Sequence, residues 1–145
     1  MAHDPVFSAY ALTVVVNSFH LLVLWNYSGG TRGGTRTTRN PEDARTVAKG
    51  AAVVEADPPE VARVMRTQRN TFDNTIPFLL VASVFAALGP DKLEAQILFG
   101  LFTGLRLFYS LAYLKGLQPW RTISYALGVL TTLTLMIETC RLALS

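Results

Sequence analysis

Four long apolar runs, at residues 6–27, 72–88, 93–114 and 122–144, constrain this chain more than any other feature. A helix needs about 20 predominantly apolar residues to cross the hydrocarbon core of a bilayer, and each run approaches or reaches that length. The second is short as an apolar run, but polar turns before it extend the helix back to about residue 60. A soluble bundle would need polar outer faces on these helices, and they largely lack them. Only 16% of the 145 residues are charged, against roughly 25% in soluble domains. The expected fold is all-α: one integral-membrane domain over residues 1–145, a four-helix bundle with a loop at 28–59.

Charge placement sets the expected orientation. Arg32, Arg36, Arg39, Arg45, Lys49, Arg63, Arg66 and Arg69 fall between the first two runs, and Lys115 and Arg121 between the last two. The opposite side carries little beyond Lys92 and Arg141. The positive-inside rule puts both loops in the cytosol and both termini on the other side. The first run lacks a basic leader and a clear small-residue cleavage site, ending at Trp25-Asn26-Tyr27, so it reads as a retained anchor. Cys140 is the single cysteine; it can form no intrachain disulfide and reads as a packing residue.

The loop opens on Gly29-Gly30-Thr31-Arg32-Gly33-Gly34-Thr35-Arg36, a short repeated unit. With few arginines and no interleaved aromatics, it is expected to be a mobile cytosolic linker and not a nucleic-acid contact. Asn40-Pro41-Glu42-Asp43-Ala44-Arg45 then carries an N-cap, a proline at N1 and acids in the first turn. Asp57-Pro58-Pro59-Glu60 repeats that signal for the helix that becomes the second span. The loop is therefore expected to form a small, partly ordered cap on the bundle.

The polar residues of the spans form patterns. On a helix Arg66, Arg69, Asn70 and Asp73 follow i, i+3, i+4, i+7 spacing and share one face at the mouth of the second span. Ionisable groups at that depth are costly unless paired or facing water, so the stripe reads as a site for a small, polar, anionic ligand. Pro77, on the same face, should bend the helix where the stripe ends. Arg106, Tyr109, Ser110 and Tyr113 line one face of the third span, and Arg121, Thr122 and Tyr125 open the fourth. All three groups lie toward the cytosolic side, whereas the outer halves of spans two and three are almost purely apolar, unlike a channel lining. Thr13, Asn17 and His20 form a polar line on the first span, read as interhelical hydrogen bonding. No second histidine stands at ligand spacing, so a metal site is unsupported. Glu138 and Arg141, at i and i+3, read as a structural pair.

Taken together, Asn40-Pro41-Glu42-Asp43-Ala44, Arg66-x-x-Arg69-Asn70-x-x-Asp73 with Pro77-Phe78, Arg106, Ala112-Tyr113-Leu114 and Arg121 resemble the MAPEG family, membrane-associated proteins in eicosanoid and glutathione metabolism. The resemblance covers nearly the whole chain. It implies a homotrimer of four-helix protomers, with glutathione bound between neighbouring subunits near the cytosolic face. It further implies that Arg66, Arg69, Asn70 and Asp73 hold the glutathione backbone, and that Arg106, Tyr109, Tyr113 and Tyr125 line the same pocket. Arg121 would lie against the sulfur, with the Thr122 hydroxyl beside it. Family members carry an arginine just after the first span that binds a glutathione carboxylate; Arg32 fits by its distance to Asn40-Pro41, with Arg36 as competitor. The expected activity is a glutathione-dependent membrane transferase or peroxidase acting on an apolar electrophile or lipid hydroperoxide from the lipid bilayer. The alternatives are a glutathione-dependent isomerase of the prostaglandin E synthase kind and a non-catalytic, lipid-binding member of the fold. The chain departs from the family at Asp73, usually Glu, and from its prostaglandin-forming members at Thr122, where they carry Ser, and Tyr109, where they carry His.

Overall fold

Asp4 starts the first helix: its carboxylate accepts from the Val6 N–H at 2.9 Å, and Pro5 supplies the fixed φ that suits a first turn. The computed structural model describes residues 4–145. Four long helices dominate it: α1 (Pro5–Thr35), α3 (Pro59–Ala87), α4 (Lys92–Leu114) and α5 (Trp120–Ala143). Between α1 and α3 lie a short helix, α2 (Pro41–Arg45), and a parallel two-residue strand pair, β1 (Thr37–Thr38) and β2 (Ala52–Val53), with Thr37 opposite Ala52. The expected count of four helices thus becomes five, because the cap orders itself around its own hydrogen bonds. Those include Ala52 N–H to Arg36 O and Val54 N–H to Thr38 O, each 2.9 Å.

α1, α4 and α5 are long and apolar enough to cross a membrane; α3 falls outside that set because Arg63, Arg66, Arg69 and Asp73 occupy its first half. α3 and α4 are joined by residues 88–91 and α4 and α5 by 115–119, so successive helices run antiparallel. α1 packs on α3 and α4, and α5 packs on those same two helices from the other side. Only one narrow face of α1 is buried, through Val6, Thr13, Asn17, His20, Leu24 and Ser28. Its opposite face shows Leu12 and Phe19, each 66% exposed, as a helix wetted by lipid would.

The interior is divided lengthwise. Toward the chain termini it is an apolar core of Phe78, Phe85, Phe99, Phe102, Leu98 and Leu135, with Phe78 and Phe102 stacked at 3.6 Å between centroids and Phe99 edge-on to both Phe78 and Phe85 at 6.3 Å. Toward the loops most of the buried side chains are polar, Thr67, Thr71, Thr75, Arg106, Ser110 and Ser124, beside the apolar Val61, Val64 and Ala112. Asn17 joins the two halves, its Nδ2 donating to Thr103 Oγ1 at 2.9 Å across α1 and α4, as the polar line on the first span anticipated.

Four local expectations are corrected. The glycine repeat is helix and not a mobile linker: α1 continues to Thr35, and Arg36 closes it in the left-handed conformation at φ 50°, its N–H on Gly33 O at 3.2 Å. Each glycine weakens a helix by about 1 kcal/mol against alanine. Here the helix end is pinned by an Arg32–Asp57 ion pair at 2.9 Å and by the adjoining strand pair. Asp57 is consequently spent on Arg32, and Pro58, not Asp57, precedes the first turn of α3. Asn40 does stand before α2, but its amide donates to Asp43 Oδ2 at 3.0 Å instead of capping the backbone. Cys140, expected to pack, is exposed on α5, while Arg141 hydrogen-bonds Glu138 as anticipated and also reaches Glu94 on α4 at 3.9 Å.

Candidate functional site

The helical register of α3 separates two stripes. Thr67, Thr71 and Thr75 face inward, fully buried, and Thr71 Oγ1 lies 3.2 Å from Ser110 Oγ of α4. Turned away from them, Arg66, Arg69, Asn70 and Asp73 form a surface notch with Tyr113 of α4, about 270 Å³ in volume. Arg69 Nε and Asp73 Oδ2 stand 3.8 Å apart with both side chains largely in the open, 86% and 59% exposed. A pair so exposed contributes at most about 1 kcal/mol, so either group can exchange its partner for a ligand.

A second notch of about 220 Å³ adjoins the first and shares Asn70 and Tyr113 with it; its other walls are Tyr109, Arg121, Thr122 and Tyr125. The Arg121 guanidinium lies over the Tyr113 ring, 4.7 Å from its centroid. Tyr109 meets Tyr113 edge-on at 5.6 Å and Tyr125 at 6.2 Å, so three tyrosines make a continuous aromatic wall. The two notches together carry an excess of guanidinium over carboxylate, which suits an anion with one cationic end.

Arg106 lies behind that wall. It is 0% exposed, its Cζ 5.3, 5.4 and 5.8 Å from the ring centroids of Phe102, Tyr109 and Tyr125, and its Nη2 donates to the Tyr125 carbonyl at 3.4 Å. Nε and Nη1 have no hydrogen-bond partner among the described residues. Gly128 of α5 makes the room, since a Cβ there would fall on the guanidinium, 2.9 Å from Cζ. A charge this deep is held by aromatic faces in place of an acid.

Two expected site residues are not brought to the notches by the protomer: Arg106, expected to line the pocket but sealed behind its tyrosines, and Arg32. Arg32 pairs with Asp57 and lines a separate cavity of about 710 Å³, together with Arg36, Asp43 and Lys49, under the strand pair. Sequence reasoning missed the threonine stripe, although its i, i+4, i+8 spacing was readable. It also missed Gln118, whose amide adjoins Arg121 and Thr122.

This is an integral membrane helical bundle with a cationic, tyrosine-backed notch at its loop end. The chain belongs to the MAPEG family, which it matches over residues 9–140. It is 32% identical over 135 residues to microsomal glutathione S-transferase 1 of Homo sapiens, covering 91% of this chain and 87% of that one. It is 31% identical over 143 residues to prostaglandin E synthase of Homo sapiens, covering 94% and 93%. Microsomal glutathione S-transferase 1 of Sus scrofa is 31% identical over 135 residues, covering 91% and 87%.

Proposed function

We propose that the protein is a glutathione-dependent membrane transferase or peroxidase, working as a homotrimer with both termini on the non-cytosolic side. The observation that carries this reading is the pair of adjoining notches, which place Arg66, Arg69, Asn70 and Asp73 beside Arg121 and Thr122 through the shared Tyr113. Glutathione has two carboxylates, one ammonium and a thiol. Paired guanidiniums bind carboxylates in bidentate fashion, and Asp73 offers an acid for the ammonium. A free cysteine thiol has a pKa of about 8.5 and reacts only as the thiolate, which an adjacent guanidinium favours. Arg121 is the group for that task, with Thr122 supplying a hydroxyl. An apolar electrophile or a lipid hydroperoxide would meet the thiolate from the bilayer side. Arg32 joins this site only if a neighbouring subunit presents it, in line with a ligand shared between protomers.

Calorimetry of glutathione binding in detergent tests the reading. Binding in the micromolar to millimolar range, abolished by Arg69→Ala, supports it; no binding leaves the lipid-binding alternative. The ultraviolet thiolate band of bound glutathione, present in the wild type and lost in Arg121→Ala, tests the activating role. A panel of apolar electrophiles, lipid hydroperoxides and a prostaglandin endoperoxide separates transferase, peroxidase and isomerase activity. The endoperoxide earns its place because the chain matches named prostaglandin E synthases about as well as glutathione transferases.

A further inference from the structure

Gln118 sits in the turn from α4 to α5, three residues before Arg121 and four before Thr122. That turn brings its side chain against Arg121 and Thr122 in the first turn of α5. Its amide has two orientations, and they are not equivalent. With nitrogen toward Arg121, N–H donors confront each other at 2.6 Å, and the amide keeps only the Thr122 hydroxyl, which donates to Oε1 at 3.1 Å. With oxygen toward Arg121, Oε1 accepts from Nη2 at 2.6 Å and from Nε at 3.1 Å, while the amide nitrogen donates to Thr122 Oγ1 at 3.1 Å. Both ends of the amide then have partners of the right kind, so the oxygen faces the guanidinium.

The Arg121 guanidinium is thus held on two sides. The Tyr113 ring covers one face at 4.7 Å, and the Gln118 oxygen takes two donors along its edge. The remaining N–H donors are left to the notch. The choice of an amide has a chemical consequence. A carboxylate at this point would make a bidentate ion pair and cancel the charge that favours a thiolate. An amide oxygen orients the guanidinium and leaves its charge uncompensated. The same amide occupies one lone pair of the Thr122 hydroxyl, which fixes where its proton can point.

We infer that Gln118 is a positioning residue that aims Arg121 and Thr122 into the notch while leaving Arg121 a free cation. This rests on the glutathione reading above. The test uses the full-length protein in detergent, comparing the wild type with Gln118→Leu and Gln118→Glu. Thermal melting establishes that each variant is folded, calorimetry gives glutathione affinity, and the ultraviolet thiolate band is titrated against pH alongside kcat for an apolar electrophile.

Gln118→Leu should bind glutathione within about threefold of the wild type, yet its thiolate midpoint should rise by about one pH unit, with kcat near neutrality falling about tenfold and recovering at higher pH. Gln118→Glu, nearly the same size, should be worse than Leu, because it holds Arg121 but neutralises it. A residue that merely shapes the turn predicts the reverse order, with Glu close to the wild type. Glu behaving as the wild type, or both variants keeping the wild-type midpoint, overturns the role of Gln118 alone. A wild type that binds no glutathione overturns the reading beneath it, and this inference with it.

Discussion

Arg106 and Gly128 occupy one space: the guanidinium of the first fills the volume where any side chain of the second would stand. This contact joins α4 to α5 directly behind Tyr109 and Tyr125, so the shape of the notch depends on a glycine that never touches it. Gly128→Ala should lower stability by about 1–3 kcal/mol, the usual result of overfilling a packed interior. The double variant Gly128→Ala/Arg106→Met should recover at least half of that loss. Unfolding midpoints in a single detergent decide it, and a double variant no better than the sum of the two singles would show that the residues are not coupled.

Tyr113 serves both notches and carries Arg121 on its ring. A cation over an aromatic face contributes about 0.5–2 kcal/mol, so Tyr113→Leu should reduce kcat/KM about three- to thirtyfold with an apolar electrophile. Tyr113→Phe keeps the ring and should retain most of the activity. Equal losses in the two variants would instead assign the role to the hydroxyl.

In the proposed site Asp73 faces the ammonium of glutathione. Hydrogen bonds to charged groups contribute about 1.5–3 kcal/mol, so Asp73→Asn should weaken glutathione binding about ten- to a hundredfold by calorimetry. The same variant should bind an analogue lacking the amino group nearly as well as the wild type does. Loss of affinity for both ligands would place Asp73 in a structural role.

Arg32 and Asp57 can be separated by experiment, since only the arginine is a proposed ligand. Arg32→Ala should lower glutathione affinity, whereas Asp57→Ala should lower thermal stability and leave affinity within about twofold of the wild type, as expected of a partly exposed ion pair. Affinity unchanged in Arg32→Ala would remove that residue from the site.

In the membrane interior, the Asn17–Thr103 hydrogen bond is the tie between α1 and α4. Such bonds average about 0.6 kcal/mol and reach about 1.7 in double-mutant cycles. A cycle of Asn17→Leu and Thr103→Val should give a coupling energy in that range, read from denaturation in mixed micelles.

Much of the candidate site's grouping was legible because its residues lie on helices. Arg66, Arg69, Asn70 and Asp73 meet by register alone, and the order of α3, α4 and α5 brings Tyr113 and Arg121 to them. What periodicity could not reveal lies between elements. Arg106 carries the same face signal as Tyr109, but its burial behind the tyrosines depends on a gap supplied by α5. The helical state of the glycine repeat depends on a salt bridge to a residue twenty-five positions away, which local propensity does not contain. Gln118 carries no signal of its own in the sequence, and its contacts are visible only once Arg121 is placed.

The buried guanidinium of Arg106 also bears on how such a chain enters a bilayer. An arginine near the middle of an isolated span costs about 2.5–3.5 kcal/mol on insertion scales. Three aromatic rings and the Tyr125 carbonyl take up that charge, and one of those rings, the carbonyl and the Gly128 gap all belong to α5. During synthesis, α4 therefore becomes fully comfortable in lipid only after α5 has emerged, which favours delivery of the two helices as a hairpin.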